Sequence, residues 1–240
     1  DHLPPVEPPS ARFIIQLFLV PALIVMAVIG VWLLFGMLAA GEQDWRKQLT
    51  ELRSENLHRR WRGANALAHL LQSDQRRGAE GEQLSQNRQI ATELSELLKQ
   101  ELSRSSRNED DLKRVSFLVL TLKMSDIHDV TLPVLRNAVQ PNQDREIRKN
   151  AMRSIVEIAG RAHERGQPIE DESLVNDVIE VSRDSEPLFR QLGAYALAFL
   201  PSESAKHQLA VLLEDADSNT RLNAAIGMAR LGSTRGLAVF

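Results

Sequence analysis

Hydrophobic positions fall into two regimes along this chain. From Phe13 to Gly41 the sequence FIIQLFLVPALIVMAVIGVWLLFGMLAAG carries no charge and is closed by Arg12 on one side and Glu42 on the other. A helix rises about 1.5 Å per residue and needs roughly 20 apolar residues to cross a hydrocarbon core of about 30 Å, so the run is long enough to span with tilt. From Glu42 onward apolar residues recur instead at i, i+3 and i+4, with few β-branched runs. That period predicts amphipathic helices. Polar or Gly/Pro breaks at Gln72–Arg88, Ser103–Asp110, Pro141–Asn142, Gly166–Pro168, Pro201 and Gly232 divide them.

The helices so delimited come in pairs, over 43–54 with 57–72, 86–103 with 109–124, 130–139 with 144–164, 171–182 with 187–200, and 205–214 with 218–231. Aligning the second member of each pair exposes a repeat: WRGANALAHLL from Trp61, LKRVSFLVLTL from Leu112, IRKNAMRSIVEIAG from Ile147, FRQLGAYALAFL from Phe189 and TRLNAAIGMARLG from Thr220. Each has a basic second position (Arg62, Lys113, Arg148, Arg190, Arg221). A small residue follows three later in all but the first, where Asn65 stands. Asp111, Asp144, Asp184 and Asp217 lie at the turns, where an acid caps a helix start and pairs with a nearby Arg. The aligned Arg series is therefore expected to be an Asp–Arg pairing between neighbouring repeats.

This arrangement resembles the HEAT/armadillo class of α-solenoids. The final stretch, DADSNTRLNAAIGMARLG, is similar to the PBS-lyase-type HEAT variety in its D…R…A-A…A-L-G order. The resemblance implies an α-solenoid of about five helix pairs, and together with the apolar run the expected fold is all-α, a single N-terminal transmembrane helix followed by that solenoid. It implies an interaction scaffold and carries over no catalytic residue. The domains expected are a Pro-rich flexible tail (1–12), the membrane helix (13–41) and the repeat domain (42–240). Residues Ser233–Phe240 read as the first turn of a sixth pair that stops, with Leu237, Val239 and Phe240 tucked back or left by a shortened chain.

The flanks of the apolar run refine that picture. Pro21 is tolerated inside a membrane helix, and Trp45 just beyond it suits an interfacial anchor. Ala39 and Gly41 are spaced like a signal cleavage site, but the run exceeds a 7–15-residue h-region and lacks a basic n-region, so an uncleaved anchor is expected. Only Arg12 precedes the span, whereas Arg46, Lys47, Arg53, Arg59 and Arg60 follow it, which places the repeat domain in the cytoplasm.

Charge and chemistry add mostly exclusions. Of 29 Lys+Arg and 32 Asp+Glu, residues 42–240 hold 28 and 30 (less Arg12, and less Asp1 and Glu7), a formal −2 with no basic footprint for nucleic acid. There is no cysteine, and the six histidines make no ligand spacing, so no metal or other cofactor is expected. His69 reads as a core-edge imidazole, and Trp61, Phe189 and Tyr195 as core. No nucleophile or phosphate-binding motif is present, so the protein is not expected to be an enzyme. The densest basic patch is Arg145, Arg148, Lys149 and Arg153, a candidate surface for a partner. The expected function is a membrane-anchored scaffold or adaptor that binds another protein. The alternative is a regulator or accessory subunit of a membrane enzyme complex.

Overall fold

The computed structural model describes residues 11–39 and 44–239; side chains of the first helix are described for residues 15–34. Most of the Pro-rich tail, residues 40–43 with Gly41 and Glu42, and Phe240 lie outside the described residues. The described chain is all-α and divides into two units, residues 1–44 and 45–240.

The first unit is one helix, α1 (Ala11–Ala39), with Pro21 inside it. Its stretch Ile15–Leu34 has a mean hydropathy of 2.8 over 20 residues, and none of it is buried. By length and composition this helix can cross a membrane.

The second unit is an array of helix pairs: α2 (Trp45–Leu52) with α3 (Leu57–Arg77), α4 (Arg88–Leu102) with α5 (Glu109–Leu122), α6 (His128–Ala138) with α7 (Arg145–Glu164), α8 (Glu172–Val181) with α9 (Pro187–Leu197), and α10 (Glu203–Leu212) with α11 (Ser218–Arg230). Local chemistry sets these limits. Asn56, Asn87, Asp144, Asp171 and Asp217 each accept hydrogen bonds from the first free backbone N–H groups of α3, α4, α7, α8 and α11. Asn108 and Asp111 form a reciprocal capping box on α5. Gly166 and Gly232, at φ 70° and 79°, end α7 and α11 in the left-handed conformation glycine adopts without Cβ strain.

Each helix buries one apolar stripe against its pair-mate and the neighbouring pairs. Second helices stack on second helices (α5 on α7, α7 on α9, α9 on α11), and first on first (α4 on α6, α6 on α8, α8 on α10). The result is two layers with a single continuous core between them, running from Leu49 and Leu67 through Leu98, Ile155 and Phe189 to Met228.

The polar stretch expected as a loop over 72–88 is more ordered than its composition suggests. Helix α3 continues to Arg77. In its last turn the buried Asp74 carboxylate accepts from Glu82 N (2.5 Å) and Leu84 N (2.6 Å), folding two short 3₁₀ turns around itself. Ser85 then fastens the segment to the α5–α6 turn, its carbonyl accepting from Asp126 N at 2.8 Å and its hydroxyl donating to Asp126 at 3.0 Å. At the other end, Gly236 packs against Ala225 and Val239 is half-buried, while Leu237 stays exposed.

Candidate functional site

The basic series aligned from sequence is structural in α7, α9 and α11. Arg148 pairs with Asp184 of the next repeat at 2.6 Å, donates to Val139 O at 3.1 Å and lies 4.1 Å over the Phe189 ring. Arg190 grips Asp215 of the next repeat with two bonds, 2.8 and 3.0 Å, and donates to Asp184 O and Ser185 O. Arg221 donates to Asp215 O and Ala216 O. Each sits at the fourth residue of its helix and closes the turn before it. Asp144 and Asp217 cap helices; Asp184 does not, and instead accepts from Glu186 N while paired with Arg148.

The first repeat carries the ladder in a different register, and the second lacks it. In α3 the fourth residue is Arg60, which donates to Ser54 O at 3.2 and 3.1 Å. Arg62, expected in this role, reaches back with Arg59 to Glu51, and their hydrogen bonds hold that carboxyl down to about 2. The shift of two residues removes the Asn65 anomaly, because Gly63 now falls three after the arginine. A Cβ there would sit 2.9 Å from Gln48 O and Glu51 Cβ, just as one on Gly193 would sit 2.7 Å from Ser182 Cα. In α5 the fourth position is Leu112. Among the described residues Lys113 pairs with the exposed Glu109 and Asp110 of its own helix, and Arg107 from the preceding loop donates to Glu101 O and Leu102 O instead.

Of the candidate patch, Arg148 is consumed by this ladder. Arg145 pairs with Glu186 and Glu146, and Lys149 with Glu146. Arg153 is exposed on the solvent stripe of α7 and makes no ion pair with a carboxylate among the described residues. Lys123 bridges from α5 to Glu157 of α7 at 3.0 Å, one turn further along that stripe. Aromatic pairs border the second-helix layer at two points, with Trp61, Phe117 and Tyr195 half-buried and Phe199 buried. Trp61 meets Phe117 edge-on with Arg114 over its face, and Tyr195 and Phe199 meet edge-on beneath Arg230. Trp61 and Tyr195 are thus core-edge residues, and only Phe189 of the three expected core aromatics is fully buried. His69 is exposed rather than at the core edge. Among the described residues no group of three or more metal-binding side chains converges.

No family model matches the chain, and no curated protein matches it. Solved structures do. One is an engineered protein, with a TM-score of 0.51 and 20% identity over 82% of this chain and 83% of that one. Another is a designed armadillo repeat protein in complex with the peptide (KR)4, with a TM-score of 0.53 and 14% identity over 82% of this chain and 90% of that one. At these identities the likeness shows the fold. The second unit has an armadillo/HEAT-like helical-repeat fold, preceded in the chain by a long apolar helix.

Proposed function

We propose that the protein is a non-enzymatic scaffold, held in a membrane by residues 13–41, that binds a partner protein along its second-helix layer. The domain division follows: a Pro-rich tail over 1–12, the anchor over 13–41 and the repeat array over 42–240, its last repeat nearest the PBS-lyase variety. One observation carries the reading. The second helices form a continuous layer whose outward side chains, such as Arg153, are not used up by the core or the ladder. Repeat arrays present extended surfaces of this kind to partners. The designed armadillo protein was solved in complex with a peptide, (KR)4.

The anchor is supported by the 20-residue window of α1. The cations after it, Arg46, Lys47, Arg53, Arg59 and Arg60, favour a cytoplasmic repeat domain. Carbonate washing of membranes tests the anchor, and protease digestion of sealed spheroplasts or vesicles tests the side. The full chain should stay in the pellet, with the repeat domain digested only when the cytoplasmic face is open. Release into the supernatant would sink the anchor, and digestion from the outer face would sink the orientation.

A further inference from the structure

We infer that two copies of the chain join through the outer face of the last helix pair, α10 with α11, in a twofold-symmetric dimer. This contact lies at the end of the array and is separate from the flank of the second-helix layer assigned above to a partner protein.

The interior pairs show what a covered outer face contains. Arg148 and Arg190 each donate to carbonyls behind them and reach forward to a carboxylate of the next pair, Asp184 and Asp215. Gln191 likewise donates to Asp217 of the next pair at 2.9 Å. Ala198 is fully buried, with Gly227 of the next pair packed against it. The same positions one repeat on are Arg221, Leu222 and Ala229. Arg221 keeps the backward bonds, to Asp215 O and Ala216 O, but makes no ion pair among the described residues. Leu222 stands in the place of Gln191 and is exposed, as is Ala229. The rung is built but its acid is missing.

Apolar surface gathers at this end of the array. Outside α1, the large apolar side chains exposed among the described residues are Leu57, Val211, Leu222 and Leu237. The last three (55%, 39% and 65%) belong to α10, α11 and the segment after them. That segment folds back on α11, with Gly236 against Ala225, and leaves a cleft of about 540 Å³ lined by Leu213, Glu214, Arg221, Leu222, Arg235 and Val239. A terminal repeat left in water needs a polar outer face, whereas an exposed apolar patch rimmed by polar residues marks a contact site.

The charges of the cleft select a second copy as the occupant. It holds both signs, Glu214 with Arg221 and Arg235, and none of the three is in an ion pair among the described residues. A twofold interface brings residue i against j and j against i. The Glu214 carboxylate of each copy thereby completes the rung at Arg221 of the other, while Leu222 and Leu237 pack across the axis. A strongly charged ligand of either sign would leave one of these groups unanswered. Head-to-tail stacking fits less well, because α2 at the opposite end exposes Arg46, Lys47 and Thr50, which would lie against Leu222. It would also generate an open filament.

The test uses the absence of cysteine from the chain. Full-length Ala238→Cys and Lys47→Cys proteins, reconstituted separately in lipid vesicles, are treated with a short bis-maleimide and resolved on a denaturing gel. Ala238→Cys should give a covalent dimer and Lys47→Cys none. Adding Glu214→Arg or Leu222→Gln should lower the dimer yield about tenfold, since the first sets like charges together across the twofold and the second removes apolar contact. Leu222→Gln installs the residue that α9 carries at this position, so the helix should fold, and circular dichroism verifies both variants. Absence of an Ala238→Cys dimer overturns the inference. So does a dimer whose yield neither substitution lowers, which would point to association through α1. A dimer formed only on mixing Ala238→Cys with Lys47→Cys overturns it in favour of head-to-tail stacking. None of these results bears on binding at Arg153, so the partner reading is decided separately.

Discussion

Replacing Arg190 by alanine is the sharpest perturbation of the array. Its guanidinium makes both bonds to the Asp215 carboxylate, at 2.8 and 3.0 Å, and two more to the Asp184 and Ser185 carbonyls at 3.1 and 3.0 Å. The Arg190 and Asp215 side chains are 17% and 10% exposed, so water can replace only part of this set. Breaking a fully buried pair costs about 3–5 kcal/mol, and a hydrogen bond to a charged group contributes about 1.5–3. With partial solvent access the loss should be about 2–3 kcal/mol. For a unit of this size that is roughly 4–12 °C in Tm. The assay is a thermal melt of the full chain in detergent, by circular dichroism at 222 nm. The Arg190→Lys variant should recover little, because one ammonium cannot serve a carboxylate and two carbonyls in that fork geometry.

Acid provides an independent arm of the same experiment. The hydrogen bonds from Arg190 hold the Asp215 carboxyl below the usual carboxylate range, against an opposing contribution from burial. A depressed carboxyl stabilises the fold fully above its unfolded value of about 3.9 and loses that contribution as pH falls through the folded value. The gap between wild type and variant should therefore be constant near neutrality and narrow below about pH 4. A melt superimposable on wild type at pH 7 would refute the ladder as a source of stability.

Three further substitutions probe other parts of the fold. Gly193→Ala places a Cβ 2.7–2.8 Å from Ser182 Cα, Cβ and N, and should destabilise by about 1–3 kcal/mol in the same melt; a neutral result would mean that α8 and α9 pack less closely than described. Arg60→Ala should lower Tm more than Arg62→Ala, whose side chain is 70% exposed, and the reverse order would restore the register read from sequence. Asp74→Ala strands the Glu82 and Leu84 amides, which should cost about 2–4 kcal/mol and raise hydrogen exchange across residues 78–86; unchanged protection there would count against the buried carboxylate as organiser.

The helix pairs were legible because caps and breakers lie on the surface of the sequence. Asp144, Asp217, Gly166 and Gly232 each do locally what their residue type favours, and the expected boundaries of α7 and α11 fall within a residue or two of the observed ones. The register of the first repeat was not legible. Arg59, Arg60 and Arg62 crowd the start of α3, and only tertiary contact distinguishes the one that closes the turn from the two that clamp Glu51. The signal available was Gly63, a small residue at the spacing the other repeats share. The ordered segment after α3 was hidden for another reason: one buried Asp74 satisfies backbone groups that polar composition alone suggests are solvated.

Site-specific photocrosslinking in the native membrane tests the central claim most directly. A photoreactive side chain would replace Arg153 or Asn150 on the second layer, and Asn137 or Asn176 on the first. The account predicts a discrete protein adduct from positions 153 and 150 and none from 137 and 176. Adducts confined to the first-layer positions, or none from any position, would contradict it.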